Sequence, residues 1–266
     1  MNNYFDKKYI KYWRERVNNP SDGTKVATTD SAKFFIKKLG ISEDDIILDL
    51  GCGFGRLYPV LSSFTPKIFG IDINKETINE ASKYPYQKLT VGTAEQTKMI
   101  SSLFDKIIAW EVYDVVEQDK ALIEENRILK KGGLFLVTGK NKKYKISDKL
   151  AFIAERNAKL KGFPNHFTDI YELIKKSKLF GFRVIAAHGF AKRGDFGNLD
   201  YFNILSSRNE KSFYQFLLIL KKISEPKIEN YDICCEYSDT AKALAKKNNF
   251  SDLKLFFKWH KDKYGE

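Results

Sequence analysis

The run Ile46-Ile47-Leu48-Asp49-Leu50-Gly51-Cys52-Gly53-Phe54-Gly55-Arg56-Leu57 leaves few options for the chain that contains it. Its first half is a short apolar stretch with the length and composition of a strand buried on both faces. Its second half places glycine at three alternate positions, where an ordinary side chain would block a tight turn or a close ligand. Apolar periodicity resumes at Leu57, Val60 and Leu61, which predicts a helix directly after the turn. Strand, glycine turn and helix together aim free backbone N–H groups at a bound ligand. Spacing excludes two common ligand loops. A dinucleotide fingerprint wants its third glycine where Arg56 stands, and a phosphate loop ends in Gly-Lys-Ser/Thr, which this run lacks.

Further segments follow in a definite order. Ile68-Phe69-Gly70-Ile71-Asp72 reads as a second strand ending in an acid, and Val91-Gly92-Thr93-Ala94-Glu95 as a loop. Phe104 to Val112 reads as a fourth strand with its exit, and Ile128 to Val137 as a helix end, a Gly-Gly turn and a fifth strand. With Asp-x-Gly-x-Gly-x-Gly at their head, these segments resemble the class I S-adenosylmethionine (SAM)-dependent methyltransferases over residues 46–138. The resemblance implies a doubly wound, mostly parallel, seven-stranded Rossmann-like sheet that binds SAM. It implies a cofactor loop of Gly51, Cys52, Gly53 and Gly55 oriented by Asp49, with Asp72 and its neighbour Ile73 at the ribose. Thr93, Ala94 and Glu95 would bracket the adenine, and Trp110 and Glu111 would lie at the fourth-strand exit. Thr93 stands where relatives often carry Asp, which passes adenine recognition to Glu95 or to backbone carbonyls.

The rest of the chain is read from its periodicities. Residues 4–17 interleave Tyr4, Phe5, Tyr9, Tyr12 and Trp13 with Lys and Arg, which predicts an aromatic-faced helix. By the resemblance it either caps the domain or covers the cofactor, with Tyr12 or Arg16 near the methionine carboxylate. Asn18 to Asp22 is a turn cluster, and a helix over Ser31–Leu39 ends at Gly40. Strands are expected near 46–50, 67–71, 88–91, 105–110 and 133–138, with helices near 56–63, 75–83 and 119–130. Such alternation argues a parallel sheet with ligands beyond the carboxyl ends of its strands. Asp49, Asp72, Glu95 and Glu111 then share one rim. Thr168 is an expected N-cap of a helix through Ile170, Leu173 and Ile174, and Phe182–Ile185 an expected strand. The oily stretch Phe213–Leu220 is expected as a core helix, and Tyr231–Tyr237 as a strand.

Three parts are therefore expected: cap helices over 1–40, a SAM-binding core over 41–190, and an extension over 191–266 that completes or caps the fold. No run of about 18 apolar residues spans a membrane. The N-terminus lacks the apolar core of a signal peptide, and three cysteines form neither a disulfide framework nor a Cys-x-x-Cys metal pattern. A cytoplasmic protein without a metal is the expectation. The formal net charge of +12 suits nucleic acid, an anionic small molecule, or solubility alone. Residues 140–161 hold eight Lys and Arg against Asp148 and Glu155, and would leave the sheet beside the cofactor. That segment is either a solvated face or a cover for an acidic substrate. His166, Tyr113 and Asp114 are the candidate proton acceptors, with His166 the only near-neutral titrating group close to the rim. The leading reading is methyl transfer to a small, anionic acceptor, nucleotide- or sugar-phosphate-like, such as relatives use in surface-polysaccharide tailoring. The alternative is an RNA methyltransferase or nucleic-acid-binding module, against which no Asn-Pro-Pro-Tyr-type motif stands at Trp110-Glu111-Val112-Tyr113.

Overall fold

The computed structural model describes residues 7–18, 30–206, 209–228 and 232–265, and the Asn18–Asp22 turn cluster falls almost wholly outside them. The chain runs α1 (Lys7–Asn18), α2 (Ala32–Lys37), β1 (Ile47–Leu50), α3 (Tyr58–Leu61), β2 (Ile68–Asp72), α4 (Lys75–Ala81), β3 (Lys88–Val91) and β4 (Phe104–Ala109). It continues through α5 (Gln118–Ile128), β5 (Leu129–Lys140), α6 (Lys149–Leu160), β6 (Phe167–Thr168), α7 (Ile170–Lys176), β7 (Phe182–Phe190) and β8 (Phe202–Asn203). The last elements are β9 (Gln215–Lys222), β10 (Cys234–Cys235), α8 (Asp239–Lys247) and α9 (Leu253–Tyr264).

Eight strands form one sheet in the order β3-β2-β1-β4-β5-β9-β7-β8, one more than the seven expected. The first five strands of that order pair in parallel, and β9 is antiparallel to both its neighbours. The chain works outward from β1 to β3 and then returns to place β4 on the other side of β1. That reversal opens a crevice beyond the carboxyl ends of β1 and β4.

Successive strand residues feed opposite cores. Ile47 and Ile108 pack with α2 and α3 on one face, while Leu48, Leu50, Ile107 and Ala109 pack with α5 on the other. Both faces are covered, so the central strands are apolar throughout. This explains the misread stretch. Phe213–Leu220 is not a helix but the lead-in and body of β9: Phe216, Leu218 and Leu220 enter one core, and Leu217 and Ile219 the other. A strand buried on both sides loses the alternation that would mark it, so its sequence mimics a buried helix. Because β5 and β7 meet only through β9, residues after 190 complete the sheet rather than merely adding to it.

Several helix starts are set by short polar side chains. Asn74 accepts from the Glu76 and Thr77 N–H groups at α4, and Asp148 accepts from Ala151 N–H at α6. The cap of α7 is Asp169, not Thr168; Thr168 belongs to β6, and its hydroxyl donates to Gln118 Oε1. A third core, built on Tyr144, Phe152, Phe167, Tyr214, Phe256 and Phe257, fastens α8 and α9 to α6. No described helix is long and apolar enough to cross a membrane.

Candidate active site

The crevice holds two adjoining cavities. The first, about 190 Å³, is bounded by the glycine loop, the end of β2, residues 92–95 and the exit of β4. Gly51, with φ +70°, has no room for a side chain, because a Cβ would meet Val112 at 2.4 Å. Gly53, with φ +51°, faces open space, and its N–H donates to Asp72 Oδ2 at 3.0 Å. Gly55 is different from both. It lies off the cavity, and its missing side chain admits the Tyr84 ring, 2.6 Å from where a Cβ would sit.

Asp72 ends β2 on the cavity wall. Its Oδ1 accepts from Asn74 N–H and from the Thr77 hydroxyl, both at 2.9 Å. Burial raises this carboxyl above its usual range, against the pull of those donors. Ile73, Thr93, Ala94 and Glu95 complete the same end of the cavity. The Glu95 carboxylate is already engaged, accepting from Glu117 N–H at 2.8 Å. Cys52 also lines the first cavity, its thiol pushed well above the ordinary range by burial.

Asp49 is not on the wall. It faces the other side of β1, is 1% exposed, and accepts from the Tyr86 hydroxyl at 2.7 Å. Burial pushes its carboxyl up to about 7, against the Tyr86 bond and the Arg56 charge. Arg56, which follows the loop, pairs with Glu111 at 2.9 Å. Glu111 takes a left-handed conformation, φ +58°, and its N–H donates to Thr138 Oγ1 at 2.8 Å. Such a backbone in a non-glycine residue is held by its surroundings, here the Arg56 pair and the Thr138 bond.

The second cavity is larger, about 480 Å³. Tyr9, Trp13, Glu111 and Val115 line both cavities and form the wall between them. On the far side stand one face of α6 (Leu150, Ile153, Ala154, Asn157, Ala158), then Lys161, Asn165, Arg193 and Lys140. Helix α1 spans the pair. The Arg14 guanidinium sits 5.5 Å over the Phe54 ring of the glycine loop and pairs with Glu80, while Tyr9 and Tyr12 pack on Phe163 at 5.2 and 5.1 Å.

The structure therefore redistributes the expected site residues. Tyr12 lines the second cavity, not the first, and Tyr9 and Trp13, three residues before it and one after, are the α1 residues that reach both. The Arg16 side chain lies outside the described residues. Trp110 lines the first cavity and lies 5.1 Å from Phe196, which lines the second. Tyr113 is a correction. It is fully buried on the core side, donates to the Gln118 carbonyl at 3.1 Å and abuts Glu125, so it reaches neither cavity. His166 is another. Its amide N–H donates to the Asp114 carbonyl at 2.7 Å, and its Nδ1 lies 3.3 Å from the Val116 carbonyl oxygen. That pins the chain before β6 to the β4 exit and leaves the imidazole off both walls. Asp114 does line the second cavity. Among the described residues no three His, Cys, Asp or Glu side chains gather as a metal set.

The cradle fits a nucleoside whose ribose meets a carboxylate: an open glycine, a buried acid at a strand end and an apolar slot beside it. Residues 48–137 match the family described as the methyltransferase domain. That matched stretch is a class I SAM-dependent methyltransferase domain. Over 144 residues the chain is 30% identical to the ubiquinone biosynthesis O-methyltransferase of Colwellia psychrerythraea, covering 51% of this chain and 57% of that one. A SAM-dependent methyltransferase of Thermotoga maritima shares the fold at TM-score 0.58 and 17% identity, over 81% of this chain and 96% of that one. The geranyl diphosphate C-methyltransferase of Streptomyces coelicolor does so at TM-score 0.57 and 13% identity, over 73% and 77%. The chain spans about half the length of the curated relatives it matches, from 33% to 61%. In the methyltransferase core the family signal lay in the glycine loop and strand ends; Arg56 and the α6 face carried no motif that sequence alone could flag.

Proposed function

We propose that this methyltransferase holds SAM in the first cavity and directs methyl transfer to a small anionic acceptor in the second. The shared wall of Tyr9, Trp13, Glu111 and Val115 carries this reading, since it brings two separate binding spaces into contact at one place. SAM supplies an activated methyl group on a sulfonium. The chain's residues contribute holding and orientation. The Gly51–Gly53 backbone and Asp72 would bind the nucleoside, with Ile73, Thr93, Ala94 and Glu95 around the base. Trp13 and Val115 would exclude water between donor and acceptor, and orientation of this kind can remove roughly 7–11 kcal/mol from a barrier. Asp114 and Glu111 are the carboxylates of the second cavity, placed to take a proton from an acceptor that must lose one.

The acceptor's charge is supported by Lys161 and Arg193, which line that cavity beside Lys140, itself paired with Asp114. Nucleotide- and sugar-linked phosphates have this chemistry. The Streptomyces coelicolor neighbour, solved with geranyl diphosphate, adds an analogy at the level of fold. Titration calorimetry tests the cofactor assignment: SAM and S-adenosylhomocysteine should each bind at one site per chain, and NAD negligibly. NAD binding tighter than SAM refutes it.

A further inference from the structure

We infer that Asn157 and Asn165 form an oxyanion-binding pair in the second cavity, so that the acceptor is held through a phosphate or carboxylate group. This rests on the reading of that cavity as the acceptor site. The argument turns on which way two carboxamides point. Arginine and lysine can only donate hydrogen bonds, so an amide facing them must present its oxygen. Arg156 donates from Nε and Nη2 to Asn157 Oδ1, each at 3.2 Å. Lys140 donates to Asn165 Oδ1 and pairs with Asp114. Both amide oxygens are thereby engaged by buried or half-buried cations, which leaves the –NH₂ groups as the donors that these two cavity-lining residues can offer a ligand.

Arg156 is fully buried and immobilised at its other end, where Nη1 donates to the Gly265 carbonyl at 2.7 Å and lies 3.1 Å from His260 Nδ1. The C-terminal helix α9 thus fixes the orientation of Asn157, eight residues short of Asn165. Around these donors stand Lys161 and Arg193. The two acids on the wall do not offset them: Asp114 is paired with Lys140, and Glu111 with Arg56. A cavity with oriented N–H donors and neutralised acids selects an anion whose oxygens accept several bonds at once.

The test uses protein saturated with S-adenosylhomocysteine, titrated with phenyl phosphate, benzoate and neutral phenol. The anions should bind and phenol should not. Asn157→Asp and Asn165→Asp, nearly isosteric, turn a donor edge into an acceptor edge. Each should weaken phenyl phosphate at least tenfold and leave S-adenosylhomocysteine affinity within twofold. Asn157→Asp adds an ion pair with Arg156, so its melting temperature should not fall while anion binding does, a split that a purely structural asparagine would not give. Normal S-adenosylhomocysteine binding with no response to either anion, or with anion affinity unchanged in both variants, overturns this proposal alone. Absence of S-adenosylhomocysteine binding overturns the methyltransferase reading, and this proposal with it.

Discussion

Asp49→Asn should stabilise the cofactor-free protein, and do so only above about pH 5. Asp49 is 1% exposed beneath the glycine loop, with the Tyr86 hydroxyl as its hydrogen-bond donor. Burial, the dominant cause, raises its carboxyl to about 7, with Asp72 adding to the rise and Tyr86 and Arg56 opposing it. An unfolded aspartate titrates near ~3.9, so the rise of about 3 units corresponds to ~4 kcal/mol against the ionised form. The folded state therefore binds more protons between about pH 4 and 7. Its advantage is full below the unfolded value and is lost as pH rises through 7. An asparagine carries no charge to desolvate and can still accept from Tyr86. At pH 8 the variant should gain up to ~4 kcal/mol, which for a chain of this size raises the melting temperature by roughly 10 °C. The gain should shrink to nothing near pH 4. Urea melts of both proteins from pH 4.5 to 8.5 read this directly. Saturating SAM, with its positive charge, should narrow the gap at pH 8, because the Asp49 carboxylate then has a counter-charge near the loop. A variant less stable than the parent by the same margin at every pH refutes the argument, since the Asp49 charge would then carry no cost.

Asp72→Ala should weaken SAM binding by about 2 kcal/mol, roughly 30-fold, through loss of charge-assisted contacts. It should also lower the urea midpoint, because Gly53 N–H, Asn74 N–H and Thr77 Oγ1 lose their shared acceptor; unchanged affinity in the folded variant rejects the ribose assignment. Reversing Lys143 and Lys145 to Glu should leave phenyl phosphate affinity within twofold, since both are exposed and off the second cavity. Lys161→Glu should weaken it roughly tenfold, less so at high salt; equal effects from both sets would restore the basic segment as a general cover.

The sheet was legible wherever a strand's end had something to do. Asp49, Gly51 and Gly53 mark the β1 turn, Asp72 marks the end of β2, and the Gly132-Gly133 pair marks the turn within β5, with Gly132 at φ +84°. These positions demand particular residues, so they show through in one sequence. β9 demanded only apolar bulk on both faces, and any buried element satisfies that. Its place between β5 and β7 is a long-range pairing with Leu136↔Ile219 and Ala187↔Leu218, which no local pattern records. Tyr113 misled for a related reason. A strand's alternation between two faces stops at its end, so parity no longer places the residues just past it. Glu111 turns outward on its left-handed backbone, and Tyr113, two residues on, turns inward toward Glu125.

The proposed acceptor side was illegible because a cation's role depends on its partner, not on its place in a basic run. The eight Lys and Arg of residues 140–161 look uniform in sequence. In the fold Lys142 pairs with Asp169 and Asp239, Lys140 with Asp114, and Arg156 with the backbone of Gly265. Only Lys140 and Lys161 of that set line the second cavity, and Lys161 sits 4.7 Å over the Tyr12 ring. A count of charge thus points to an anion for an incomplete reason. In the proposed site the charge acts partly at second hand, since Arg156 and Lys140 orient neutral amides that would then face the acceptor. Such an arrangement favours geometric selectivity over long-range attraction, because an amide donor is short-ranged and directional while an exposed ammonium is neither. It also gives the last residues of the chain a reason to pack where they do. If α9 were displaced, Arg156 would lose Gly265 and His260, Asn157 could turn its oxygen into the cavity, and the acceptor site would change sign at one position without any change in the cofactor loop.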